Sequence, residues 1–234
     1  MILDLQKYNK IIQDGKEVTL IEQGTSRVYI DLNEVVEFTD PVIKEMCIKF
    51  INDAGHEVYL KDEIRQAELS YIIDSIDDIY VFANDDKWSE VRSLRDLRHF
   101  PNLQELIIDE EGLFDHINEI DLKHIFVIGG YAFTNHPGIK FYGEDNLIGI
   151  GEGCLENATI LNDKFNATGL TDDDIEEGTF RNVTMNDIVL TNVSNIPSYF
   201  FEGAKFKVLH IGDSCDTISE YAFYKSDFDY IANA

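Results

Sequence analysis

A short phrase that returns five times between Ile128 and Phe223 constrains this chain more than any other feature. It reads Ile128-Gly-Gly-Tyr-Ala-Phe133, Ile150-Gly-Glu-Gly-Cys-Leu155, Ile175-Glu-Glu-Gly-Thr-Phe180, Ile196-Pro-Ser-Tyr-Phe-Phe201 and Ile218-Ser-Glu-Tyr-Ala-Phe223. The isoleucines advance in steps of 22, 25, 21 and 22 residues, and the closing Phe or Leu, always five residues on, keeps those steps. Two apolar anchors at a fixed offset, recurring every ~22 residues, are the signature of stacked repeats. One such unit cannot bury both of its faces, whereas stacked units bury a shared core. A chain built this way presents a surface, so the pattern points to binding and away from an active site.

Charge narrows the partners. Lys and Arg number 19 against 45 Asp and Glu, a formal net charge of −26 within 234 residues. Such a field repels nucleic acid and anionic membrane and speeds encounter with basic proteins. The plainer role of the acids is to keep a long sheet protein soluble. The opening Met1-Ile-Leu-Asp-Leu-Gln-Lys-Tyr8 has no basic region before an apolar run, so no signal peptide is expected. No window approaches the ~18 apolar residues of a membrane span. Cys47, Cys154 and Cys215 are widely spaced and odd in number, and Cys154 lies within the repeat phrase, so free thiols are expected. Together these favour the cytoplasm; a surface-protein fragment without its signal is the alternative. Sequons at Asn157, Asn166, Asn182 and Asn192 are then ordinary loop residues.

Taken in order, residues 1–33 read as a short helix, with Leu3, Leu5, Tyr8, Ile11 and Ile12 on one face, followed by extended Val18-Thr-Leu-Ile21 and Val28-Tyr-Ile30. They suggest no role. Asp40-Pro41 is a helix start, an N-cap residue followed by proline in the first turn. Val42, Ile43, Met46, Cys47, Phe50 and Ile51 follow at helical spacing, and Asn52-Asp-Ala-Gly55 ends the run. Lys61-Asp-Glu63 opens a second helix with Ile64, Ala67 and Leu69 turned inward. The alternation from Ile73 to Phe82 predicts the first repeat strand.

Leu94, Leu97, Phe100, Asn102, Leu103, Leu106 and Ile108 then fall in a phrase that resembles the leucine-rich repeat pattern L-x-x-L-x-x-F-x-N-L-x-x-L-x-I. The Ile-x-x-x-Ala-Phe units after residue 128 are similar to the BspA-like subclass, in which the fifth, eighth and tenth residues after Phe are apolar. Met185, Ile188 and Leu190 follow Phe180 in that way, Phe206, Leu209 and Ile211 follow Phe201, and Phe228 and Ile231 follow Phe223. Phe133 and Leu155 match less well, their apolar followers being shifted. The resemblance implies a leucine-rich repeat solenoid with a curved parallel β-sheet, and helical residues 34–75 look like the N-terminal cap of bacterial members. Repeats then occupy 76–234, irregular near 143–172.

In that fold each unit contributes one short strand and returns through an irregular or helical segment. Side chains alternate along a strand. With Leu106, Ile108, Ile188, Leu190, Leu209 and Ile211 inward, the open face carries Glu105, Ile107, Asp109, Asp187, Val189, Thr191, Val208 and His210. Tyr80 and Phe82 continue the row at its N-terminal end, and Lys140 and Tyr142 lie near its middle. Mixed apolar and acidic groups are what a protein-binding face displays; a solvated sheet face with scattered hydrophobes is the plainer reading. Ala234 falls in mid-repeat, with no polar capping helix after it. An open end of that kind is expected to pair, most simply with a second copy.

Candidate chemistry is sparse. Gly149-Ile-Gly-Glu-Gly153 lacks the G-x-G-x-x-G spacing and places Glu152 where a phosphate would approach. The acids at 109–111 and 172–177 lack the alternation and glycine of an EF-hand. Six histidines show no H-x-x-x-H or H-E-x-x-H pairing, and no serine sits in G-x-S-x-G. No enzyme activity, cofactor or metal is expected. The sequence therefore predicts an interaction domain that binds a protein partner on its open face. The alternative is an acidic inhibitor, of immunity or anti-defence type, that blocks a basic nucleic-acid-processing enzyme.

Overall fold

A computed structural model describes residues 33–53, 63–66, 68–69, 79–100, 103–107, 112–173, 175 and 178–233, together with the backbone of 9–13, 16–23 and 26–30. The N-terminal segment forms a three-stranded antiparallel sheet: β1 (Asn9–Gln13), β2 (Lys16–Gln23) and β3 (Ser26–Ile30). Ile11 and Ile12, expected on a helix, lie in β1 opposite Val18 and Glu17. The remaining residues of that expected helix lie outside the described set. Val18–Ile21 and Val28–Ile30 are extended, as their β-branched content favours.

The first helix, α1 (Pro41–Asp53), begins where Asp40-Pro41 places it. Asp40 Oδ1 accepts from the Val42 N–H (2.8 Å), the N-cap bond that satisfies an orphan donor of the first turn. Ile43, Met46, Cys47, Ile48 and Ile51 are buried along one face. Asp40 also ties this helix to the first repeat turn. Its Oδ2 accepts from the N–H groups of Arg92 (2.8 Å) and Ser93 (3.0 Å). Reciprocally, buried Asp96 accepts from the N–H groups of Thr39 (2.7 Å) and Asp40 (2.9 Å). Gln66, Glu68 and Leu69 are helical, with Ile64 and Leu69 buried; Ala67 lies outside the described residues. Tyr80–Ala83 is a helical turn, not the first strand of the repeats.

From Ser93 onward the chain winds as a parallel β-solenoid, and no described residue after Ala83 is α-helical. Each turn lays down two short strands, where the sequence led us to expect one. The first ladder contains β4 (Ser93–Leu94), β6 (Glu119–Asp121) and β8 (Lys140–Tyr142), then β10 (Lys164–Asn166), β11 (Asp187–Leu190), β13 (Lys205–Ile211) and β15 (Asp227–Asn233). The second contains β5 (Glu105–Leu106), β7 (Val127–Ile128) and β9 (Gly149–Ile150), a bridge from Ile150 to Ile175, and β12 (Asn195–Ile196) with β14 (Thr217–Ile218). The recurring isoleucines form this second ladder.

The anchors at the other end of each phrase, together with Phe114 ahead of the first phrase, Phe141 of β8 and Phe165 of β10, build a column of rings. Phe114, Phe133, Phe141, Phe165, Phe180 and Phe201 are each at most 1% exposed. Successive centroids lie 5.1, 5.2, 5.5, 6.2 and 5.5 Å apart. Leu155 takes the ring position between Phe133 and Phe180, and Phe223 stacks on Phe201 at 5.4 Å. One continuous apolar core runs from Ile43 of α1 to Leu209 of β13. The phrase also turns the backbone twice into the left-handed region. Tyr131, Gly153, Gly178, Tyr199 and Tyr221, three residues after each isoleucine, have positive φ; so do Asn135, Asn157, Asn182, Gly203 and Lys225, four residues further on.

The first ladder breaks between β8 and β10. Asn162 fills the gap: its Oδ1 accepts from the Phe141 N–H (2.9 Å), and its Nδ2 donates to the Phe141 carbonyl (2.9 Å). A side-chain amide supplies the two bonds a neighbouring strand would have made.

Candidate partner-binding face

Register fixes the outer face of the first ladder. Leu94, Ile120 and Phe141 are aligned and buried, as are Phe165, Ile188 and Leu209 on the later rungs. Their neighbours on each strand point the other way. One outer row runs Ser93, Glu119, Lys140 and, beyond the break, Lys164, Asp187, Val208, Tyr230. The other holds Asp121 and Tyr142, then Asn166, Val189, His210 and Ala232.

The predicted site residues divide among three places. Lys140, Tyr142, Asp187, Val189, Val208 and His210 share this face, with Thr191 just past β11. Val189 and Val208 are only 7% exposed each, closed off by the side chains around them, so they are not accessible anchors. Glu105 and exposed Ile107 belong to the second ladder: β5 pairs with β7, not with any strand of the first. The expected single row is thus two rows on separate strands of each turn. Leu106 and Ile188 carry the same apolar signal, and nothing in their neighbours distinguishes one ladder from the other. Tyr80 and Phe82 leave the face altogether. Phe82 is fully buried, its ring edge-on to Phe50 (5.7 Å) and Phe100 (5.6 Å), and this packing favours a helical turn over the extended form that the alternation suggested. Asp109 lies outside the described residues.

The sequence reading missed Arg95 and Glu119, which complete a polar cluster. The Ser93 hydroxyl donates to Glu119 Oε1 (2.8 Å), and the Tyr142 hydroxyl donates to Glu119 Oε2 (3.2 Å). Arg95 lies over the Tyr142 ring with its guanidinium carbon 4.0 Å from the centroid; Lys140 Nζ approaches the same ring to 5.2 Å. The signal for Glu119 was the Ile120 beside it, which repeats the apolar centre of the other strands. Further along, His210 Nε2 lies 3.3 Å from Asp187 Oδ2. Burial pushes the Asp121 carboxyl up from its ordinary value.

The other sequence features have structural roles. Gly151 sits where adjacent turns nearly touch: a Cβ there would come 2.5 Å from the Gly130 nitrogen, which accounts for the glycine-rich phrase without a phosphate. Cys47 and Cys154 are buried free thiols, and burial raises that of Cys154 to about 12. Asn157 and Asn182 sit in an amide ladder: Asn157 Nδ2 donates to Asn135 Oδ1 (2.9 Å), and Asn182 Nδ2 to Asn157 Oδ1 (3.0 Å). Among the described residues, no helix is long and apolar enough to cross a membrane.

A family described as BspA type leucine rich repeat region matches residues 114–229, in six copies. No curated protein and no solved structure matches the chain. Six copies over residues 114–229, most of the stretch that forms the two ladders and the ring column, make this part of the chain a leucine-rich repeat solenoid of the BspA-like family.

Proposed function

We propose that the chain is a protein-interaction module whose partner docks on the outer face of the first ladder. The observation that carries this reading is the register itself. It sets Lys140 and Tyr142 on one rung, and Lys164, then Asp187 with Val189, then Val208 with His210 on later ones. Parallel strands stand ~4.8 Å apart, so charges of both signs and an aromatic ring lie at fixed intervals on a rigid support. Such an array selects a complementary pattern and fixes the register of what binds. Leucine-rich repeat solenoids typically serve as binding scaffolds, and the fold here offers the same use. The test is capture of a partner from the source cell by the tagged protein and by the double variant Lys140→Glu/Asp187→Lys. At least tenfold less capture by the variant is expected; undiminished capture would discard this face.

The net charge of −26 favours a second reading, in which the chain occupies the nucleic-acid groove of a basic enzyme and inhibits it. Its binding would fall steeply with added salt and would compete with DNA or RNA. A contact governed by shape and apolar groups would do neither.

A further inference from the structure

Three of the five left-handed positions that follow the isoleucines hold tyrosine: Tyr131 (φ 62°), Tyr199 (φ 56°) and Tyr221 (φ 65°). Gly153 and Gly178 fill the same position on the intervening turns, so the corner itself requires nothing larger. A bulky residue with positive φ is a conformational outlier, and its ring must return something for the strain. Near the C-terminal end the rings are gathered. Tyr199 and Tyr221 stack almost parallel, with centroids 5.4 Å apart and planes 9° from each other. Tyr224 meets Tyr221 edge-on at 6.0 Å. Tyr221 is 49% exposed and Tyr224 43%, so the group faces outward. Glu220 shares a hydrogen bond with Tyr221. Between Pro197 and Asp229, six carboxylates outnumber three lysines.

We infer that Tyr199, Tyr221 and Tyr224 form a seat for an arginine side chain of a protein partner, with Glu220 as its counter-ion. The inference rests on the interaction reading above but assigns a separate surface. Two features of the chain support a cation as occupant. Arg95 already lies over Tyr142 at 4.0 Å, and Lys225 Nζ lies 4.8 Å from the centroid of Tyr224, so this scaffold already holds cations against tyrosine faces. A guanidinium stacks flat on an aromatic face while its N–H groups reach a carboxylate at the rim; a lysine ammonium, a hydrated point charge, does this less well. The acidic surroundings draw in a cation and disfavour an anion.

The experiment measures binding of fluorescent oligoarginine and oligolysine peptides of equal length at near-physiological salt. The proteins are the wild-type chain, Tyr221→Gly, Tyr221→Phe and Glu220→Gln, with a thermal melt of each. Wild type is expected to prefer oligoarginine. Tyr221→Gly should bind it about tenfold more weakly without melting lower, because glycine relieves the strained corner. Tyr221→Phe should keep most of the affinity, and Glu220→Gln should lose part of it. Equal affinity of wild type and Tyr221→Gly, or no preference for arginine over lysine, would overturn the proposal. So would binding of a neutral oligosaccharide that depends on Tyr221 while oligoarginine binding does not. Partner capture that depends on Lys140 and Asp187 but not on Tyr221 would leave the first-ladder reading standing and remove this one.

Discussion

At the break between β8 and β10, the amide of Asn162 substitutes for a strand, and that substitution can be tested. Asn162 is buried and bonds both backbone groups of Phe141. Its Nδ2 also lies 3.2 Å from Glu144 Oε1, a carboxylate that accepts from the Asn166 N–H as well (3.3 Å). Asn162→Leu keeps the number of side-chain heavy atoms and removes the three bonds that the amide makes. Leaving a buried N–H and C=O unpaired should cost about 2 kcal/mol or more, read as a lower urea midpoint with little change in slope. No sequence pattern announced this role, because a lone Asn in a polar stretch looks like any loop residue. The left-handed corners were more legible. Asn135, Asn157, Asn182 and Gly203 recur two residues after each Phe or Leu anchor, and Asn and Gly are the residues that accept positive φ most readily. The tyrosines four residues earlier carried no such hint, since tyrosine is a poor choice for that conformation.

For the elements, the junction between α1 and the first repeat turn rests on two carboxylates that each accept backbone donors from the other side. Asp40 serves Val42, Arg92 and Ser93, and Asp96 serves Thr39 and Asp40. Asp40→Ala removes an N-cap, worth about 1 kcal/mol, and strands two further donors. The expected total is about 3 kcal/mol. Amide exchange should accelerate in α1 and around Arg92–Ser93 before it does in β11 and β13; uniform acceleration would mean that cap and repeats unfold as one unit. The helix itself could be read from Asp40-Pro41 and its apolar spacing. The two-ladder layout could not. A strand of two or three residues is too short for alternation to register, and the recurring isoleucines gave the period of the winding without saying how many strands each turn contains. Tyr80 and Phe82 went astray for a related reason: local alternation favoured extension, and the rings of Phe50 and Phe100 decided otherwise.

For the whole molecule, the response to acid follows from buried imidazoles. Burial, reinforced by nearby cations, lowers His99 and His124 to about 4. Arg98 Nε donates to His99 Nε2 (3.3 Å), a bond that needs the neutral ring. A histidine whose folded-state pKa is depressed contributes stability above its unfolded pKa near 6.5, and loses it as pH falls toward 4. For His124, only 6% exposed, the loss by pH ~5 amounts to about 2 kcal/mol. His99 adds in the same direction. Asp96, Asp121 and Glu144 act oppositely: burial raises their carboxyls, so their contribution grows as pH falls from those raised positions toward the ordinary carboxylate value. Between pH ~6.5 and pH ~5 the histidines should dominate. The thermal midpoint should fall across that interval, and His124→Gln should flatten the fall; an unchanged slope would show that His124 titrates normally.

Because each unit brings both of its own left-handed corners, an anchor isoleucine and a Phe or Leu for the column, length is an adjustable property of this architecture. Copying the stretch from Ile175 to Asn195 and splicing it ahead of Ile196 would supply one more coil with every corner already in place. Tandem duplication of that kind extends the molecule without inventing new backbone geometry, which is a plain physical route by which proteins of this kind can grow or shorten.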